Sequence, residues 1–239
     1  MRYVRPDESI MFWGVTGTVL ATYDPDWLTD GLPGVPVRGA TSLSLTAAGA
    51  ARTISLLSAV NTNITGSIGI TGGVTATIPA ATYRADGIPL NSWVAITPVV
   101  GATSLVMAVT QTPAIVGELY AGRSRTLERD LFADPDFDPA DVFEWEGEFS
   151  SLAPYDPGID FRRLKGRTLV SQTGMDDIEA WWTSTRRGTR PTLIVPFENK
   201  NDAWLVIFRY SATATFAKAA TGQHYLVTFE FLELPRYRW

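Results

Sequence analysis

Three stretches of this 239-residue chain carry residue types whose spacing could do chemistry. Tyr23-Asp24-Pro25-Asp26-Trp27-Leu28-Thr29-Asp30-Gly31 sets two aromatics among three carboxylates, with Arg38 a few residues on. An exposed Trp flanked by hydrogen-bond acceptors can hold a sugar ring or a partner chain. Equally, Trp27 can plug the end of a sandwich while Asp24 and Asp26 make turns. Trp93, at the head of an apolar segment, is a second aromatic for such a platform. These five residues, Trp27, Asp24, Asp26, Arg38 and Trp93, are the candidate ligand-binding set.

The other two stretches carry less. Asp134, Asp136 and Asp138 imitate the opening of a calcium loop, but the sixth and twelfth positions hold Pro139 and Trp145 where Gly and Glu are needed. An acidic linker with Asp-Pro turns accounts for them. Glu144, Glu146 and Glu148 fall on one face of a strand, whereas a glycosidase pair must flank its sugar from two sides. Cysteine is absent, which excludes disulfides, zinc-thiolate sites and thiol nucleophiles. His224 is the single histidine, and no Gly-x-Ser-x-Gly elbow accompanies it. Neither a catalytic residue nor a metal or cofactor is assigned.

A net charge of -5 gives the chain as a whole no case for nucleic acid. The apolar run from Ile10 to Ala21 is too short for a membrane span and contains two glycines. Arg5-Pro6-Asp7-Glu8 ahead of it is a poor signal-peptide start, so no targeting segment is read. Gly14-Val15-Thr16-Gly17 and Thr71-Gly72-Gly73-Val74 lack phosphate-loop spacing and read as turns. Asn63-Ile64-Thr65 matches a glycosylation acceptor, but needs a secretory route.

The elements that must position these residues are mostly strands. Short apolar segments at 51–60, 67–71, 92–96, 105–109 and 115–120 are separated by Gly, Pro and Asn, the pattern of a β-sandwich or jelly roll. Charge and proline rise together over 123–141, which marks a linker between a first unit, 1–122, and a second, 142–239. In the second unit, strands at 161–170, 192–197, 204–210 and 225–231 surround one helix. The helix is predicted over 175–187, with Thr173 before it, acidic residues in its first turn, Arg186 and Arg187 closing it and Gly188 as the stop. Met175, Ile178, Trp181 and Trp182 share a face that should cover the sheet. The fold class is all-β, with one flanking helix. At the C-terminus, Arg236, Tyr237, Arg238 and Trp239 have the residue types of interface hot spots, for docking on a neighbouring subunit or on the chain's own domain.

Tyr23 to Gly31, Ala51 to Thr65 and Ile115 to Gly122 together resemble the galactose-binding-like (discoidin-type) jelly roll found in minor tail proteins of tailed bacteriophages and prophages. The helix, the Arg187-Gly188 turn, the Pro191–Pro196 strand and the closing Val227–Leu234 strand resemble the tail-tube type of β-barrel. The resemblance implies a virion protein of the distal-tail or baseplate type, located at the tail and in the host cytoplasm during assembly. It implies partners in the form of further copies in a ring, hexameric by family habit, and of tube, hub and fibre proteins. A host glycan is a further implied ligand. The alternative function is a non-catalytic carbohydrate-binding module. The first unit is short of aromatics and charges for a sugar-binding face, which favours an adaptor role.

Overall fold

The computed structural model describes residues 1–83, 90–128, 163–198, 201–215 and 224–234. Among these the chain is almost wholly strand: β1 (Arg2–Ser9), β2 (Gly14–Gly17), β3 (Val37–Gly39), β4 (Ser42–Thr62), β5 (Ile68–Gly72), β6 (Ala76–Ile78), β7 (Trp93–Thr110), β8 (Ala114–Thr126), β9 (Arg163–Ser171), α1 (Gln172–Ser184), β10 (Thr192–Val195), β11 (Trp204–Thr215) and β12 (His224–Glu233). One antiparallel sheet runs β6-β5-β7-β4-β8-β1-β10-β11-β12-β9, with β2 added to β4 and β3 to β8. The all-β expectation with a single helix holds among the described residues.

β1 is the hinge of this order. It pairs with β8 through Arg2↔Thr126 and Tyr3↔Arg125, and with β10 through Arg2↔Val195 and Tyr3↔Ile194. Three hydrophobic layers follow. The first unit's core gathers Ile10, Trp13, Leu43, Leu45, Leu57, Leu105, Met107 and Leu119. A second, around Tyr3, Trp181, Trp204, Phe208, Phe229 and Phe231, lies beneath α1. Between them Val4, Leu56, Val60, Tyr120, Leu193, Val195 and Leu205 form a layer shared by both halves. β10 is therefore buried on both faces, with Ile194 in one layer and Leu193 and Val195 in the other. Such a strand reads as an unbroken apolar run, Thr-Leu-Ile-Val. Gly122 lets β8 approach β1, since a Cβ there would stand 2.5 Å from Val4 Cγ1 and 2.8 Å from the Glu8 carbonyl oxygen. A polar seam adds a second link, in which Ala203 N donates to Asn91 O at 2.7 Å and Asn91 Nδ2 donates to Ala203 O at 2.9 Å.

Several sequence expectations need correction. The helix begins at Gln172, not 175, because Ser171 Oγ accepts from Gly174 N and caps it; the Glu128 carboxylate accepts from Ser171 N and Oγ. It ends at Ser184, so Arg186 and Arg187 do not close it but turn into left-handed backbone, φ 49° and 58°, ahead of Gly188 at 81°. Gly14–Gly17 is a strand paired with Thr46 and its neighbours rather than a turn. The segments at 92–96 and 105–109 belong to one strand, β7, with Gly101 at φ 77° within it. The packing expectation holds: Met175, Ile178 and Trp181 are buried, and Trp182 packs edge-on to Phe208 and Tyr210. The stretches bearing Asp134–Asp138 and Glu144–Glu148 lie outside the described residues, as do Arg236, Tyr237, Arg238 and Trp239.

Candidate functional site

The aromatic loop is built by its own carboxylates. Asp24 Oδ1 accepts from Asp26 N at 3.0 Å, which caps the short 3₁₀ turn Pro25–Leu28. Asp26 Oδ1 accepts from Val15 N at 2.6 Å and ties the turn to β2. Leu28 is buried, and Thr29 Oγ1 donates to Trp13 O at 2.7 Å. Asp24 and Asp26 therefore hold the loop's shape. Trp27 is half-buried against the first core, and Tyr23 meets it edge-on with ring centroids 6.0 Å apart.

From Tyr23 the surface continues outward. Tyr23 N donates to Leu20 O, and Leu20 N donates to Arg38 O at 2.8 Å. Leu20 is exposed, and beside it runs an open groove of about 360 Å³ lined by Thr18, Leu20, Gly39, Thr41, Ser42 and Ser44. Val19 and Ala40 complete that lining, and its four hydroxyls can each both donate and accept. Arg38, next to Gly39 on β3, has its Nε buried with no hydrogen-bond partner among the described residues. A buried donor left unpaired costs about 1–3 kcal/mol.

Trp93 is not part of this group. It packs on the shared middle layer, and its N donates to Asn201 Oδ1 at 3.2 Å on the seam between the halves. Of the five candidates, the structure thus brings Trp27, Asp24, Asp26 and Arg38 into one neighbourhood with Tyr23 and Leu20, and leaves Trp93 apart.

His224 starts β12, opposite Thr215 and Ser171 in the ladder. No group of three or more metal-ligating side chains occurs among the described residues. Asn63 is occupied structurally, with Nδ2 donating to Pro113 O and Oδ1 accepting from Ile115 N, so a glycan on Nδ2 would compete with the bond to Pro113 O.

No protein-family profile matches the sequence, and no curated protein does. Two solved structures align with about half of it. One is the family 32 CBM from C. perfringens NanJ in complex with galactose, at 17% identity over 52% of this chain and 100% of its own, TM-score 0.38. The other is a second family 32 module from Clostridium perfringens, in complex with GalNAc-β-1,3-galactose, at 10% identity over 51% of this chain and 99% of its own, TM-score 0.37. At those scores the likeness decides neither a ligand nor a site.

One functional-looking residue escaped the sequence reading. Glu118 on β8 is completely buried; Oε2 accepts from Gly31 N at 3.1 Å, and Oε1 has no partner. Burial, then the nearby charge of Asp30, pushes its carboxyl well above the usual carboxylate range. The folded state therefore holds that proton more tightly than the unfolded chain does. With a folded pKa above the unfolded one, the stabilising contribution is full below about pH 4 and is lost as pH rises toward the folded value. Glu118→Gln is accordingly expected to lift the unfolding midpoint more at pH 8 than at pH 4. Denaturant titrations at the two pH values check this, and an equal change at both would rule the assignment out.

Proposed function

We propose that this chain is a non-catalytic glycan-binding protein whose site is the groove and aromatic pair on the first half. The observation that carries the reading is the open groove lined by Thr18, Leu20, Gly39, Thr41, Ser42 and Ser44, whose Leu20 is tied by backbone bonds to Tyr23, the edge-on partner of Trp27, and to Arg38, whose Nε is buried and unpartnered. A sugar fits this chemistry: its hydroxyls accept from the guanidinium and exchange bonds with Thr and Ser, while its C–H face packs on an aromatic ring. Asp24 and Asp26 act in this reading by positioning, because both are engaged in the loop. A glycan array probed with the full chain, with Tyr23→Ala and with Arg38→Met tests it. Each variant is expected to lose about tenfold or more in affinity, the scale of a truncated hot spot, while thermal melts show that it remains folded. Retained binding in both variants, or no binding by the parent chain, rejects it.

A second reading has its own observation. Phe12 and Leu32 are each 58% exposed, and large exposed apolar side chains mark candidate interaction sites. It supports an assembly protein, and the tail resemblance gives that role a form: a ring-forming virion protein of a phage tail tip, joining tube to distal components. The comparisons above add nothing to this form, since neither solved relative is a tail protein. The two readings are compatible, because a tail-tip adaptor can carry a glycan site.

A further inference from the structure

Phe12 stands against the pattern of its own turn. Trp13 N donates to Ile10 O at 2.9 Å and closes the turn Ile10–Trp13, whose third position is Phe12 at φ 66°. Glycine or asparagine is usual there. Ile10, Met11 and Trp13 are buried, whereas Phe12 is 58% exposed. A backbone geometry that bulky residues resist thus puts an aromatic ring into solvent.

Two other loops meet this turn. Phe12 N donates to Thr29 O at 2.7 Å, and a Cβ added to Gly31 would lie 3.4 Å from Met11 Cε and 3.1 Å from Pro191 Cγ. Leu32 follows Gly31 and is 58% exposed; Val35, whose N donates to Leu32 O, is exposed as well. From the loop after α1, the Arg190 guanidinium lies over the Phe12 ring, 5.1 Å from its centroid. Arg186 and Arg187 stand exposed on the same loop, which is tightened by Arg190 N to Thr185 O and Thr189 Oγ1 to Arg186 O. None of these three guanidiniums has an ion-pair partner among the described residues. Asp30 is the one carboxylate within 10–13, 29–35 and 185–191, and its Oδ1 accepts from Leu32 N at 2.7 Å. A chain of net charge -5 thus gathers three unneutralised cations beside three exposed apolar side chains.

We infer that this patch seats the chain on an anionic lipid surface. A protein partner anchors its hot spots in pockets, but here the apolar side chains themselves stand out, from two separate turns. A bilayer interface needs no matching shape. It takes apolar side chains into its acyl boundary and holds arginines among its phosphates. Arg190 above the Phe12 ring suits that arrangement, because a ring at the acyl boundary leaves the guanidinium at headgroup level, where it binds phosphate as a planar fork. The inference is independent of the glycan groove. It gives Phe12 and Leu32 a different occupant from the protein neighbour of the second reading.

Co-sedimentation of the full chain with vesicles tests it, phosphatidylcholine containing phosphatidylglycerol being compared with phosphatidylcholine alone. The parent is expected to bind the anionic vesicles and not the neutral ones. It should be released at about 0.5 M salt, where the screening length falls to about 4 Å. Each basic residue at such a surface contributes about fivefold in partitioning, so Arg186→Glu with Arg187→Glu and Arg190→Glu should weaken binding about a hundredfold or more. Arg186→Lys with Arg187→Lys and Arg190→Lys should retain it. Phe12→Asn, which suits the turn, and Leu32→Ser should each weaken it about tenfold. Thermal melts show that each variant remains folded, and glycan binding, measured separately, should survive in all of them. Equal binding to both vesicle types, binding to neither, or anionic binding that these changes leave intact overturns the inference. Salt-sensitive self-association without vesicle binding also overturns it, in favour of a protein occupant of the patch.

Discussion

Trp181→Ala is expected to destabilise the protein by about 3–5 kcal/mol, the cost of emptying a buried aromatic site. The ring has no exposure and is stacked on Tyr3 with centroids 4.0 Å apart. It also lies 4.3 Å from Phe208 and 5.9 Å from Phe231. Its Nε1 donates to Thr192 Oγ1 at 2.9 Å, and that hydroxyl donates in turn to Val4 O at 2.7 Å. One side chain thus fixes α1 to β1, β10, β11 and β12. Removing it leaves a cavity and takes away the indole donor of Thr192 Oγ1. Guanidinium unfolding monitored by circular dichroism measures the loss. Trp182→Ala is the control: half-buried and in edge contact only, it should cost less than half as much. Equal losses would mean that α1 is held by general apolar cover rather than by this anchor.

Deleting residues 1–9 is expected to abolish cooperative folding of the second half, although that half lies more than 150 residues away in sequence. β1 fills the place between β8 and β10, and both of its faces are used: Tyr3 enters the core under α1 and Val4 enters the shared layer. Losing these two side chains alone costs about 5 kcal/mol or more on large-to-small scales, against a total stability of about 5–15 kcal/mol for a typical domain. The strand's ladder bonds add to that. Limited proteolysis and amide exchange would show β10 to β12 unprotected, and a synthetic peptide of residues 1–9 should restore protection. A truncated chain that still protects β11 and β12 would mean that the second half closes its sheet without β1.

The legibility of these features follows from burial geometry. α1 was legible because Met175, Ile178, Trp181 and Trp182 repeat at helical spacing, and its start was blurred because Ser171 and Thr173 are both cap-type residues two positions apart. β12 alternates cleanly because one face meets the core and the other does not, whereas β11 begins with Trp204, Leu205 and Val206 buried on both faces. β1 stayed hidden: Arg2, Arg5, Pro6, Asp7 and Glu8 look like a solvated start, but Arg125 pairs with Glu8 at 2.7 Å and Arg5 with Asp7 at 2.8 Å, so its charges are matched within the fold. Glu118 could not be found by alternation, since every residue from Ala114 to Gly122 is buried and β8 has no polar face to betray one. The aromatic loop was visible in composition; the division of labour inside it, with carboxylates making the turn and Arg38 left unpaired, depends on hydrogen bonds that sequence spacing does not specify. Phe12 was hidden for a similar reason, because nothing in an apolar run marks which residue takes the left-handed backbone and faces out.

Backbone amide chemical-shift mapping with a panel of hexoses and N-acetylhexosamines tests the central claim most directly, because it reports binding and location together. The account predicts saturable shifts confined to residues 18–27 and 38–44. Saturable shifts centred elsewhere, or none in that region with any sugar, would contradict it.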